Sequence, residues 1–170
     1  MSRSLALAAV ALCVSAAPAG ATLVGAFSLD DLATVATHVV RGEVVDIESG
    51  WQDGLIFTEV EITVAECLKG PCETRSLVLR VLGGKTSKYV QDVDGSARFG
   101  LGEEVVLFLE PTADHHLRPI GMAQGKFTLT GGVAVRGEVA VAGPRTAAAL
   151  RLNRVPADTL MRAIRTALVR

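Results

Sequence analysis

Aromatic residues are scarce in this chain: five phenylalanines, one tryptophan and one tyrosine among 170 residues, or 4%. So few rings speak against a wide stacking platform for bases or sugars. An excess of one charge is missing too, because 17 basic and 18 acidic side chains leave a net charge of −1. A nucleic-acid-binding domain wants a clearly basic face, so no nucleic-acid partner is expected. Long apolar runs are also absent. The uncharged stretch 5–17 has 13 residues, short of the ~20 that a bilayer span needs. Catalytic signatures are lacking as well: there is no Gly-x-Ser-x-Gly elbow, no His-Glu-x-x-His and no phosphate loop.

What is present begins at the N-terminus. Arg3 precedes the apolar run, Pro18 breaks it, and Ala19-Gly20-Ala21 follows as a small-x-small pattern. That is the layout of a secretory leader over residues 1–21, with cleavage expected before Thr22. A lipid anchor on Cys13 is disfavoured, since Leu12 stands where a small residue is required. The mature chain would keep 149 residues, with sixteen basic and eighteen acidic side chains, in a secreted or periplasmic location. That length suits one domain with no membrane-spanning segment. Two cysteines remain, Cys67 and Cys72, and in an oxidising compartment they read as a small-loop disulfide. Closing so short a loop contributes ~2 kcal/mol and mainly fixes a turn. Zinc would need four ligands, and no matching Cys/His pair follows.

Along the mature chain, Ser28 and Asp31 suit a capping box, and Leu29, Leu32, Val35 and Ala36 recur at helical spacing, which predicts a helix over 29–37. A β-rich run over 39–47 contains Gly42, a bulge or bend signal. Residues 49–54 read as a turn with Asp53-Gly54 as its tightest part. Over 58–64, Thr58, Val60, Ile62 and Val64 alternate with Glu59, Glu61 and Thr63, which predicts a strand with the glutamates in water. Further strands are expected over 76–81, 103–109 (apolar on both faces, hence central), 116–120, 125–130 and 133–141, with Gly131-Gly132 as a hairpin turn. A polar, glycine-rich loop of 20 residues runs from Gly83 to Gly102, and loops of that length are usually functional or mobile.

The tail differs. Residues 147–152 suit a helical turn, and Pro156 suits the first position of a helix whose Leu160, Met161, Ala163, Ile164, Ala167 and Leu168 line one side. Residues 22–144 carry ten basic and seventeen acidic side chains, whereas 145–170 carry six arginines and Asp158. A basic amphipathic helix docking on the β domain is expected, with an anionic membrane surface as the alternative. The whole predicts a mainly β fold, a small OB-like Greek-key barrel of five to seven strands, with a short N-terminal helix and a C-terminal amphipathic helix.

The order DLATVATHVVRGEVV, VAECLKG, VLRVLGG, FGLGEEVVLFL and GMAQGKFTL, spanning about 29–130, resembles a family of uncharacterised secreted bacterial proteins. More distantly it is similar to the OB-fold of tissue inhibitors of metalloproteinases and netrin-like modules. The resemblance implies a five-stranded, partly open Greek-key barrel. It does not carry over the inhibitors' zinc-chelating N-terminal cysteine, because the expected mature terminus is Thr22 and no Cys-x-Cys occurs.

Chemistry-bearing candidates remain few. Asp114-His115-His116 could seed a metal site with His38, but adjacent histidines on a strand face opposite ways. Asp92-Val93-Asp94-Gly95 is half of a calcium loop without its distal glutamate. Glu59 and Glu61 share one strand face at a spacing near that of a glycosidase pair, which alternation alone explains. No catalytic residue, metal or cofactor is therefore expected. Trp51, at the turn tip, and Lys85, Lys88 and Tyr89, in the long loop, are the candidate partner contacts. The expected function is a non-enzymatic exported module binding a protein or envelope component. A secreted-metalloprotease regulator and a metal-dependent hydrolase are the alternatives.

Overall fold

The computed structural model describes residues 24–71, 74–138, 141–142 and 153–169. The expected leader, its cleavage site, Cys72 and the helical turn over 147–152 lie outside the described residues. Cys67 is disulfide-bonded.

The chain is mainly β, and the described residues hold one large sheet and two α-helices. In chain order the elements are β1 (Val24–Gly25), α1 (Leu29–Val35), β2 (His38–Gln52), β3 (Leu55–Lys69), β4 (Ser76–Leu82), β5 (Gly84–Lys85) and β6 (Val90–Gln91). They continue with β7 (Glu104–Pro111), β8 (Leu117–Pro119), a 3-10 turn (Met122–Gly125), β9 (Lys126–Thr130), β10 (Val133–Arg136), β11 (Val141–Ala142), β12 (Arg154–Pro156) and α2 (Ala157–Leu168). Eight strands form the large sheet in the order β12-β10-β9-β7-β2-β3-β4-β8, and β8 also pairs with β7.

Helix α1 starts where its cap residues dictate. Ser28 Oγ accepts the Asp31 N–H at 3.1 Å, and Asp31 Oδ2 accepts the Ser28 N–H at 2.8 Å. The helix stops at Val35 rather than 37, because the Thr37 N–H is taken by the Leu109 carbonyl of β7 at 2.9 Å. Sheet pairing wins the last turn.

The β2–β3 hairpin corrects the expected turn. Strands continue through Gln52 and resume at Leu55, leaving only Asp53 and Gly54, with φ of 51° and 84°. Two left-handed residues make the tight turn whose twist matches a hairpin, so pairing persists up to it. Trp51 is thus a strand residue opposite Ile56, not a turn tip. The glutamates of β3 are not simply in water either. Both are half-buried beside β4, where Glu59 meets Arg80 at 2.5 Å and Glu61 accepts the Ser76 hydroxyl.

Gly42 marks a register shift in β2, as its place in a β-rich run suggests. A Cβ there would lie 2.3 Å from the Thr63 carbonyl oxygen and 2.7 Å from Ile62. Gly42→Ala is therefore expected to destabilise the fold by about 1–3 kcal/mol through backbone displacement, read as a lower urea midpoint at unchanged slope.

Central β7 has Val105, Val106, Leu107, Phe108 and Leu109 fully buried. Alternation sends Val106 and Phe108 into one core with Leu32 of α1, Phe127 of β9, and Leu160 and Ile164 of α2. Val105, Leu107 and Leu109 enter a second core with Val40, Val60, Ile62 and Leu79. Helix α2 so packs its apolar stripe against the sheet and α1, while Arg165 reaches Glu66 at 2.7 Å. Pro156 ends β12 with φ −55° and ψ 137° and occupies the N-cap position of α2, one position before its expected place. Strand β10 ends at Arg136, and β11 pairs with β1 instead of extending it. Among the described residues, no helix is long and apolar enough to cross a membrane.

Candidate functional site

Two hairpins meet at one end of the sheet. The first is the outer half of β2–β3. The second, β5–β6, is folded from the long glycine-rich segment, which is therefore not featureless. Its turn is closed locally: the Thr86 N–H donates to the Tyr89 carbonyl at 2.8 Å, and the Tyr89 N–H donates to Thr86 Oγ1 at 3.1 Å.

Three bonds lock the second hairpin onto the first, and a fourth braces the first internally. Gly83 N–H donates to the Ile56 carbonyl at 2.7 Å, and the Ile56 N–H donates to Gln91 Oε1 at 2.6 Å. Thr58 Oγ1 donates to the Gly83 carbonyl at 2.7 Å and lies 2.8 Å from Ser49 Oγ. Gly84, with φ 145°, sits so close that a Cβ would lie 2.2 Å from Thr58 Oγ1. Beneath the crossing lies a cavity of about 310 Å³, lined by Ile47, Ser49, Thr58, Val81, Ala97 and Phe99 among others.

This locking brings Trp51 against Tyr89, with ring centroids 5.5 Å apart and planes tilted by 44°. Both rings are open to solvent, 58% and 60% exposed, and Leu55 and Val90 are exposed large apolar residues on the same two hairpins. Lys85 and Lys88 are exposed on the second hairpin. The four residues singled out in the sequence thus fall on two touching hairpins. Leu55 and Val90 were missed, and only their flanking positions to Asp53-Gly54 and Tyr89 could have pointed to them.

On the opposite face of the β2–β3 hairpin, Arg80 of β4 gathers groups from three segments. Its guanidinium meets Glu59 at 2.5 Å, Asp114 at 3.5 Å and Gln52 Oε1 at 3.1 Å, and lies 5.6 Å from the Phe57 ring centroid. A hydrogen bond from Thr112, before all other influences, holds the Asp114 carboxyl below its ordinary pKa. His116 approaches that carboxylate at 3.7 Å, whereas His115 lies in the preceding turn with φ 64°. Burial draws the His38 imidazole below its ordinary value, where it sits 3.0 Å from the Thr37 hydroxyl. Among the described residues, no three His, Cys, Asp or Glu side chains come together in a metal-holding group.

The segment 83–102 is anchored at its far end by an ion pair. Lys126 Nζ lies 2.8 Å from both Glu103 carboxylate oxygens, donates to the Arg98 carbonyl, and sits 4.5 Å over the Phe99 ring. Thr128 Oγ1 and the Gly100 N–H also donate to Glu103. Burial pushes the Glu103 carboxyl up, but these hydrogen bonds and the ammonium charge outweigh it and hold it below the ordinary 4.5. Sequence patterning gave no sign of this pair, since a lysine opening a short strand reads as surface.

No protein-family model matches the chain, and no curated protein shows a significant match to it.

Proposed function

We propose that this chain is an exported, non-enzymatic binding module that recognises a protein or cell-envelope component through the Trp51–Tyr89 surface. The observation that carries this function is the aromatic pair itself, two solvent-facing rings in contact from separate hairpins. Exposed aromatics in a held geometry are the usual anchors of an interface, since little side-chain entropy remains to be lost. The leader-like N-terminus supports export.

An OB-like barrel is the architecture that fits this role. Strand pairings run β2-β3-β4-β8-β7 and return to β2, with β4–β8 parallel and the other pairs antiparallel. OB barrels bind through the loops joining their first to second and fourth to fifth strands, and through the adjoining strand face. In this ring those connections are the 53–54 turn and residues 112–116, the latter tied through Asp114 to Arg80 as Gln52 is.

Immobilised protein incubated with envelope extract is expected to retain a partner, with residues 51, 55 and 85–90 protected from hydrogen exchange in the complex. An extract that leaves nothing behind and no protected hairpin counts against the proposal.

A further inference from the structure

Strand β2 is 15 residues long, yet only part of it is paired on both sides. Strand β3 follows it to the turn, whereas β7 pairs with residues 38–43 alone. The last contacts on that side are the Val44 N–H to the Glu103 carbonyl and the Gly102 N–H to the Val44 carbonyl. Counting outwards from the two-residue turn, Gln52↔Leu55, Gly50↔Phe57 and Glu48↔Glu59 are the hydrogen-bonded pairs. The N–H and C=O groups of Ile47, Ser49 and Trp51 accordingly point away from β3. Strand β3 shows the same phase, because Ile56, opposite Trp51, turns its own N–H and carbonyl outwards to Gln91 and Gly83. Among the described residues, nothing occupies the corresponding places along β2. An edge left open in this way is a template for an added strand.

The two faces of that edge differ in chemistry. Ile47 and Ser49 line the cavity side, where Trp51 meets Tyr89. Glu48 and Gly50 line the opposite face with Phe57, Glu59 and Arg80. Arg80 is engaged by Glu59 and Asp114, so Asp46 and Glu48 have no ion-pair partner among the described residues. A second copy laid edge to edge would set these carboxylates against their own kind, which disfavours self-pairing.

We infer that the outer edge of β2, over residues 46–52, accepts an extended peptide of a partner protein in which apolar and basic residues alternate. The inference rests on the binding function above and specifies its partner. The apolar side chains lie beside Ile47, Ser49 and Trp51. The basic ones face Asp46 and Glu48, and the backbone pairs with the open N–H and C=O groups.

The test uses the full chain and three synthetic octapeptides: alternating Val-Lys, the same peptide N-methylated at alternate amides, and alternating Val-Glu. The Val-Lys peptide is expected to perturb the fluorescence of Trp51, the sole tryptophan. It is also expected to slow hydrogen exchange at the Ile47, Ser49 and Trp51 amides at least tenfold. Methylation on the pairing edge, or exchange of Lys for Glu, is expected to weaken binding at least tenfold. Asp46→Lys with Glu48→Lys is expected to reverse the preference towards Val-Glu. No binding, equal affinity of the methylated peptide, or unchanged exchange at the three amides overturns strand addition. The envelope-capture experiment is independent of these peptides, so a partner still retained through Trp51 would leave the broader function standing while this mode falls.

Discussion

Replacing Glu103 with alanine is expected to cost about 3–5 kcal/mol of folding stability, the largest effect of any single substitution outside the hydrophobic cores. Lys126 would be left charged with its side chain only 7% exposed and its one carboxylate partner gone. Stranding a buried charge costs far more than the intact pair contributes, because the desolvation is no longer offset. Domains of this size are stable by only about 5–15 kcal/mol, so the variant would melt many degrees lower. Urea unfolding followed by far-UV circular dichroism measures the loss. The double variant Glu103→Gln, Lys126→Met removes the charge as well and is expected to recover most of it. If the single and double variants are equally unstable, the pair is not the cause. The same pair sets an acid limit. The folded pKa of Glu103 lies below the ordinary 4.5, so its contribution is fully present above that value and is lost as pH falls through the lower folded value. Glu103→Gln is expected to flatten that acid limb.

Trp51→Ala and Tyr89→Ala are each expected to weaken retention of the captured partner by about 30-fold, the 2 kcal/mol that defines an interface hot spot. The rings touch, so the double variant should lose less than the sum of the two. Because both side chains are largely in solvent, stability should shift by no more than about 0.5 kcal/mol. Lys85→Ala or Lys88→Ala is expected to alter mainly the salt dependence of association. Titrating the partner against each purified variant separates these outcomes. Unchanged affinity in both aromatic variants would remove the surface from consideration.

Much of the β architecture was readable because period-two alternation is a local signal. Val60 and Ile62 announce their strand by alternation, the unbroken apolar run Val105 to Leu109 announces a central one, and Gly131-Gly132 announces its turn. The Ser28–Asp31 cap and the apolar stripe of α2 were equally local. Boundaries failed where a distant partner decided them, as when Leu109 draws Thr37 into the sheet or Pro156 ends a strand before capping a helix. The candidate site was legible as residue types only. Nothing in the spacing of Trp51 and Tyr89 says that two hairpins will cross, because the crossing depends on Gln91 and Gly84 finding Ile56 and Thr58 across more than 25 residues. Arg80 and Lys126 were invisible for the same reason: a cation on an alternating strand shows its partner only once the register is known.

Strand β7 gives alternate residues to two separate apolar clusters, and this joins their fates. Neither cluster can dissolve alone, since peeling β7 from one uncovers the other at the same moment. Damage on either face of β7 is therefore expected to loosen both clusters together, not one alone.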